Sequence, residues 1–265
     1  MASLGLAVVA APSRAHETAE PLAFDAKAAL AYSQAAIGHR LGDDAFRNRR
    51  GEVVRLSDYR GRPLVVSLIY TACTQSCPVI LQSLHDAVVV ARKAFGRDSF
   101  AVVTIGFDSS NDTPSRMRAY ARSRGIDLPN WDFLSGDGET IQRLARTLGF
   151  IFFASPKGFD HLAQISVIDS QGKLYRQIYG TNFEPPRLVE PLKDLVFGRA
   201  ANFSSVSGII NRVRLFCTFY DPASGRYRFD YSMFIGGAIG LIILLVLGTI
   251  VVRGWLGVRR RGADA

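Results

Sequence analysis

Residues 63–70 read PLVVSLIY, a continuous apolar run with no polar alternation. A strand apolar on both sides must be covered on both sides, which is the situation of a parallel strand inside a sheet flanked by helices. A second run of this kind, FAVVTIGF, occupies residues 100–107. Between them CPVILQSLHDAVVVARKAF (77–95) carries apolar residues at spacings of three and four, which predicts a helix. Strand, helix and strand in that order predict an α/β domain.

The alternation continues to about residue 198. DDAFRNRRGEVVRL predicts a hairpin turning at Arg50-Gly51, ahead of the first buried strand. Thr113-Pro114 opens a helix to about Ser123, with a capping residue followed by proline at the first helical position. WDFLSG (131–136) predicts a short strand, and Asp137–Leu148 a helix closed by Gly149. His161–Ile168 and Leu174–Tyr179 flank Asp169-Ser170-Gln171-Gly172, a hairpin signal, and Arg187–Phe197 is the last helix. A crossover followed by an antiparallel hairpin and a closing helix is a thioredoxin-like layout, a mixed central sheet flanked by helices. That choice rests mainly on the cysteines, which fall at the end of the first buried strand and enter the next helix.

Three cysteines are too few for a disulfide scaffold. Cys73 and Cys77 form C-T-Q-S-C, followed by Pro78. A helix N-terminus offers unpaired N–H groups and a positive dipole end, and both favour thiolate over thiol. Two sulfurs at such a mouth can close a disulfide or clasp a soft metal ion such as Cu(I). Of the four histidines, His161 in G-F-D-H is the best-placed third ligand, because the layout brings the start of its hairpin near the cysteine mouth. His85 lies two turns along the helix after Cys77, and His39 and His16 carry no supporting signal.

Met233–Val252 reads MFIGGAIGLIILLVLGTIVV, without charge or proline. Such a helix extends roughly 30 Å, the thickness of a bilayer core, and predicts one C-terminal transmembrane helix. Arg253, Arg259, Arg260 and Arg261 follow, with Trp255 at the expected interface, so the tail 253–265 is predicted to be cytoplasmic. The chain then divides into a signal-peptide remnant or disordered start (1–23), a folded domain (24–198), a juxtamembrane connector (199–232), the span (233–252) and the basic tail. Cys217 stands alone in the connector, as a structural thiol, a redox partner or an intermolecular link. Gly236 and Gly240 fit a helix-pairing spacing. The formal charge is +9, from 32 Lys+Arg against 23 Asp+Glu. Arg47, Arg49, Arg50, Arg55 and Arg60 read as a solvated face, and no nucleic-acid motif stands in its structural context.

YTACTQSCP (70–78) resembles the copper-site loop of the SCO/SenC family of cytochrome oxidase assembly factors. GFDSSNDTP (106–114) resembles that family's D-x-x-x-D-T-P segment, and GFDHLAQISVIDSQGKLYRQIYG (158–180) its D-H hairpin. The resemblance runs over about residues 36–198. It implies a thioredoxin-like fold with Cys73, Cys77 and His161 as ligands of copper, as Cu(I) and with Cu(II) left open. Asp108, Asp112 and Asp160 are candidates to shape or screen the site without binding metal. The resemblance implies a metallochaperone rather than an enzyme. It would be tethered to the bacterial inner membrane with its domain in the periplasm, taking copper from an upstream donor or electrons from a thiol reductant. Its target would be the binuclear copper site of oxidase subunit II. Two departures stand out: Thr74 and Ser76 replace the Pro and Asp common in the loop, and the anchor is C-terminal rather than N-terminal. The alternatives are a thiol–disulfide oxidoreductase, which needs the cysteines but not His161, and a thiol peroxidase, for which Thr71 is the only supporting residue.

Overall fold

The computed structural model describes residues 24–156, 158–197, 218–221, 226–229 and 232–263. A first helix, α1 (Ala26–Ala35), is capped by Asp25, whose carboxylate accepts from the amides of Lys27 and Ala28. The sequence reading did not anticipate it. β1 (Ala45–Asn48) and β2 (Val53–Arg55) form the expected hairpin, with Gly51 at φ +84° in its turn. A single 3-10 turn at Leu56–Tyr59 leads into β3 (Leu64–Ile69), then α2 (Ser76–Phe95), β4 (Ala101–Gly106), α3 (Pro114–Ser123), β5 (Trp131–Ser135) and α4 (Gly138–Leu148). β6 (Phe152–Ser155), β7 (Gly158–His161), β8 (Gln164–Ile168), β9 (Leu174–Tyr179) and α5 (Pro186–Phe197) complete the domain.

Seven strands make one sheet in the order β2-β1-β5-β4-β3-β8-β9. The central three, β3, β4 and β5, are parallel and joined through α2 and α3, while the outer strands run antiparallel. This is the expected thioredoxin-like arrangement. Every residue of β3 and β4 is buried, which is why both runs lack polar alternation. Leu81, Leu84 and Val88 of α2, Met117 of α3, Leu144 of α4 and Leu188 and Leu192 of α5 close the core around the sheet. Each such side chain contributes about 1.5–3 kcal/mol on burial.

The predicted caps form. The Thr113 hydroxyl accepts from the Arg116 amide and Pro114 opens α3; Asp137 accepts from the Thr140 amide at the start of α4. Gly149 ends α4 in the left-handed region at φ +61°, and a Cβ there would meet Ser33 Cα and Ala36 Cβ of the α1 segment at 2.8 Å. Both conformation and close approach require glycine.

One predicted strand is divided. His161–Ile168 is not continuous: β7 ends at His161 and pairs with β6 in a separate two-stranded sheet, and β8 begins at Gln164 in the main sheet. β7 is partly exposed where β8 is wholly buried, so the two have different partners.

Beyond the domain, β10 (Thr218–Asp221) and β11 (Arg226–Phe229) form an antiparallel pair around the predicted turn. α6 (Ser232–Ala263) contains the predicted span. Within 235–250 its large apolar side chains are exposed, from 51% at Val246 to 68% at Leu244. Among the described residues no helix is long and apolar enough to cross a membrane. Residues 1–23, Cys217 and most of the connector lie outside the described residues.

Candidate metal centre

The parallel strands end level with one another: Ile69 of β3 pairs with Gly106 of β4, which pairs with Ser135 of β5. The loops leaving β3 and β4 therefore emerge side by side. Asp112 ties them together. Its carboxylate accepts from the Thr71 amide (2.8 Å), the Thr71 hydroxyl (2.7 Å) and the Asp108 amide (3.0 Å). It is 1% exposed, and burial pushes its carboxyl up against those three donors. A Cβ on Gly106 would lie 2.3 Å from Asp112 Cβ, so only glycine admits the clamp. Asp112 thus anchors the chain two residues before Cys73. Asp108 is half-buried and accepts from the Asn111 side chain at 2.8 Å.

Cys73 and Cys77 are free, buried thiols. The residue before α2, Gln75, gives no side-chain cap. The Cys73 sulfur takes that place, accepting the Cys77 N–H at 3.3 Å and lying 3.4 Å from the Ser76 hydroxyl. Burial pushes the Cys73 thiol up, but the Ser76 hydroxyl and the amides of Cys77 and Gln75 outweigh it and bring the thiol down to about 7. The helix-terminus argument fails for Cys77. Its sulfur lies deeper, and burial, with the nearby Cys73 sulfur and Asp112, pushes its thiol well above the ordinary range. The pair is therefore unequal, one thiol poised to ionise and one held protonated.

His161 stands at the same end of the domain among aromatic rings, with centroids 5.3 Å from Phe107, 5.4 Å from Phe150 and 6.2 Å from Tyr70. Its Nδ1 is 2.9 Å from the Leu162 carbonyl. A carbonyl only accepts, so Nδ1 carries the proton and Nε2 keeps a lone pair for a ligand. Burial holds the imidazolium below its usual range, which favours the neutral ring. Among the described residues no three His, Cys, Asp or Glu side chains stand close enough to hold a metal ion together. The structure brings the two cysteines together and leaves His161 apart, next to Tyr70. The Tyr70 hydroxyl in turn lies beside Cys73, and burial raises it to about 12. Asp160, adjacent to His161, is exposed. His85 pairs with Asp86 along α2, and the exposed His39 reaches the Thr147 carbonyl. The Thr71 hydroxyl is committed to Asp112, so it does not serve Cys73 as the peroxidase reading requires.

Sequence reasoning missed Tyr70, Ser76 and the aromatic cluster of Phe107, Phe150, Phe152 and Phe159. The available signal was position: Tyr70 and Phe107 each follow the last residue of a buried strand, where the chain turns toward the site.

The SCO1/SenC family model matches residues 39–196. The SCO1 protein homolog of Bacillus subtilis is 25% identical over 146 residues, 53% of this chain and 74% of that protein. Two solved structures share the fold. One, described as Bradyrhizobium japonicum ScoI with copper bound, has a TM-score of 0.51 at 24% identity, covering 60% of this chain and 99% of that one. The other carries a disulfide switch in BsSco, a member of the Sco family of cytochrome c oxidase assembly proteins. It has a TM-score of 0.54 at 21% identity, covering 60% of this chain and 94% of that one.

Proposed function

Because the chain belongs to the SCO1/SenC family, we propose that it is a copper-binding protein of oxidase assembly, holding Cu(I) between Cys73 and Cys77 with His161 as third ligand. The observation that carries this reading is the cysteine pair itself: two buried thiols at the start of α2, the Cys73 sulfur accepting the backbone N–H of Cys77 at 3.3 Å. Thiolate and neutral imidazole are soft and borderline donors suited to Cu(I). The description of the Bradyrhizobium protein with copper bound supports copper as the cargo.

In this reading Cys73 ionises first and offers its thiolate to the cargo. Cys77 releases its proton on binding, which makes loading dependent on pH. His161 Nε2 completes the set once the Tyr70 side chain or the β6–β7 hairpin yields. Delivery to the binuclear copper site of oxidase subunit II proceeds by exchange of thiolate ligands with the target's cysteines. In this reading the tether is the apolar run Met233–Val252 of the sequence, with the basic tail on the cytoplasmic side and the domain in the periplasm.

A second reading has its own observation, the unequal thiols. A nucleophilic Cys73 beside a protonated Cys77 suits a dithiol reductant. The Cys73 thiolate attacks a target disulfide and releases one target thiolate. Cys77, on losing its proton, then attacks the Cys73 sulfur and releases the second, leaving Cys73–Cys77 oxidised.

Anaerobic titration of the reduced full chain with Cu(I), against a chromophoric competitor, tests the choice. Delivery predicts one copper per chain, loss of binding in Cys73→Ser, and weakened binding in His161→Ala. Binding that is weak, or indifferent to His161, moves the weight to the reductant.

A further inference from the structure

The arginines of the β1–β2 turn, which read in sequence as a solvated face, meet a second set from α3. Arg49 and Arg50 face Arg118 and Arg122 across a cleft of about 530 Å3. Helix α3 reads PSRMRAYARS and holds no acidic residue, so Arg118 and Arg122, one turn apart, repel without a partner on their own helix. Neither is neutralised nearby. Arg118 donates from Nε and Nη2 to the Arg49 carbonyl, an uncharged acceptor, and Arg122 makes no ion pair among the described residues. Two carboxylates line the cleft and offset it only in part. Asp127 is 95% exposed and reaches Arg49 at 3.8 Å, and Asp132 already accepts the Tyr59 hydroxyl at 2.7 Å. Arg50 leans out to Glu52 on its own hairpin.

The bond from Arg118 to the Arg49 carbonyl joins the helix to the turn at one side of the cleft. Guanidinium groups converging on a concave site match the planar, multiply accepting face of an oxyanion. The cleft is separate from the cysteines. It opens beside Asp132, three residues and about 10 Å along β5 before the level at which the cysteine loop leaves β3.

We propose that this cleft binds a phosphate-class oxyanion, supplied either as free phosphate or pyrophosphate or as a phospholipid headgroup. Binding leaves the dithiol untouched and adds a second, independent ligand to the domain.

Arginine modification by phenylglyoxal, read residue by residue by mass spectrometry, tests this on the full chain in non-ionic detergent at constant ionic strength. Inorganic pyrophosphate is the free probe, and phosphatidylglycerol doped into the micelles is the headgroup probe. Either probe is expected to slow modification of Arg49, Arg118 and Arg122 about tenfold, the worth of one charge-assisted hydrogen bond, with Arg143 and Arg176 unchanged. Protection by pyrophosphate assigns the free anion, and protection by phosphatidylglycerol alone assigns the headgroup. The exposed variant Arg122→Gln is expected to remove protection at Arg49 and Arg118. No protection by either probe, equal slowing at every arginine, or full protection in Arg122→Gln overturns the proposal.

Discussion

The Tyr70 ring meets the His161 imidazole edge-on, the planes at 84° and the centroids 6.2 Å apart, while its hydroxyl end abuts the turn at Gly158. One side chain thus touches the proposed third ligand, the hairpin that carries it and the neighbourhood of Cys73. A Cβ on Gly158 would lie 2.6 Å from the Tyr70 hydroxyl, at a φ of +117° that side chains rarely adopt. Gly158→Ala is therefore expected to cost about 1–3 kcal/mol of folding stability. Chemical denaturation of Gly158→Ala, Tyr70→Phe and the double variant measures it. Removing the hydroxyl should recover part of the loss, and strict additivity would mean that the contact is not felt.

The Cys73 thiol, brought down to about 7 from an ordinary 9.0, should show iodoacetamide modification that inflects near neutral pH. Cys77 should stay unreactive in the folded protein over the same range. Ser76→Ala removes the largest of the lowering influences, so modification at pH 7 should slow about threefold to tenfold. The sign for stability follows. A depressed thiol value contributes stability that is full above about 9 and is lost as pH falls through about 7. Equal reactivity of the two thiols would remove the inequality on which the reductant reading stands.

Asp112→Ala leaves the Thr71 amide, the Thr71 hydroxyl and the Asp108 amide without their acceptor in a part-buried site. A fully buried orphaned donor costs about 1–3 kcal/mol and these three, reached in part by water, cost less each, so the denaturation midpoint should drop. Asp112→Asn keeps one acceptor oxygen and should lose less. The same variants test the clamp at the cysteine loop, since Cys73 modification should lose its near-neutral inflection once Thr71 is released.

Burial favours the neutral form of His161, so its Nε2 stays available below the usual imidazole range. His161→Ala should weaken Cu(I) binding by more than about tenfold, since even outer partners of metal ligands are worth that much. The ratio of wild-type to variant affinity should persist at pH 6. A ratio that collapses between pH 7 and 6 would show an imidazole that protonates normally.

The buried strands were legible because β3 and β4 are covered on both faces and so carry no alternation to misread. The starts of α3 and α4 were legible from Thr113-Pro114 and Asp137, and the end of α4 from Gly149. α1 was not, because it buries only Ala29 and Ser33 and presents little apolar stripe. The β6–β7 pair was not, because its strands are four residues long and largely half-exposed, so neither period emerges. At the site, Cys73 and Cys77 were legible from spacing and Asp112 from its motif. Tyr70 was not, since an aromatic residue closing an apolar run looks like ordinary core until the fold turns it toward the sulfurs.

The β6–β7 pair shares no backbone ladder with the seven-stranded sheet and leans on it through aromatic side chains. Amide exchange should therefore release these strands well before β3 or β4, in a sub-global opening that leaves the main sheet intact. His161 then travels with a piece of the domain that opens apart from the strand whose loop carries Cys73. In the proposed donor set, opening of this pair would move His161 relative to the cysteines without unfolding the sheet behind them.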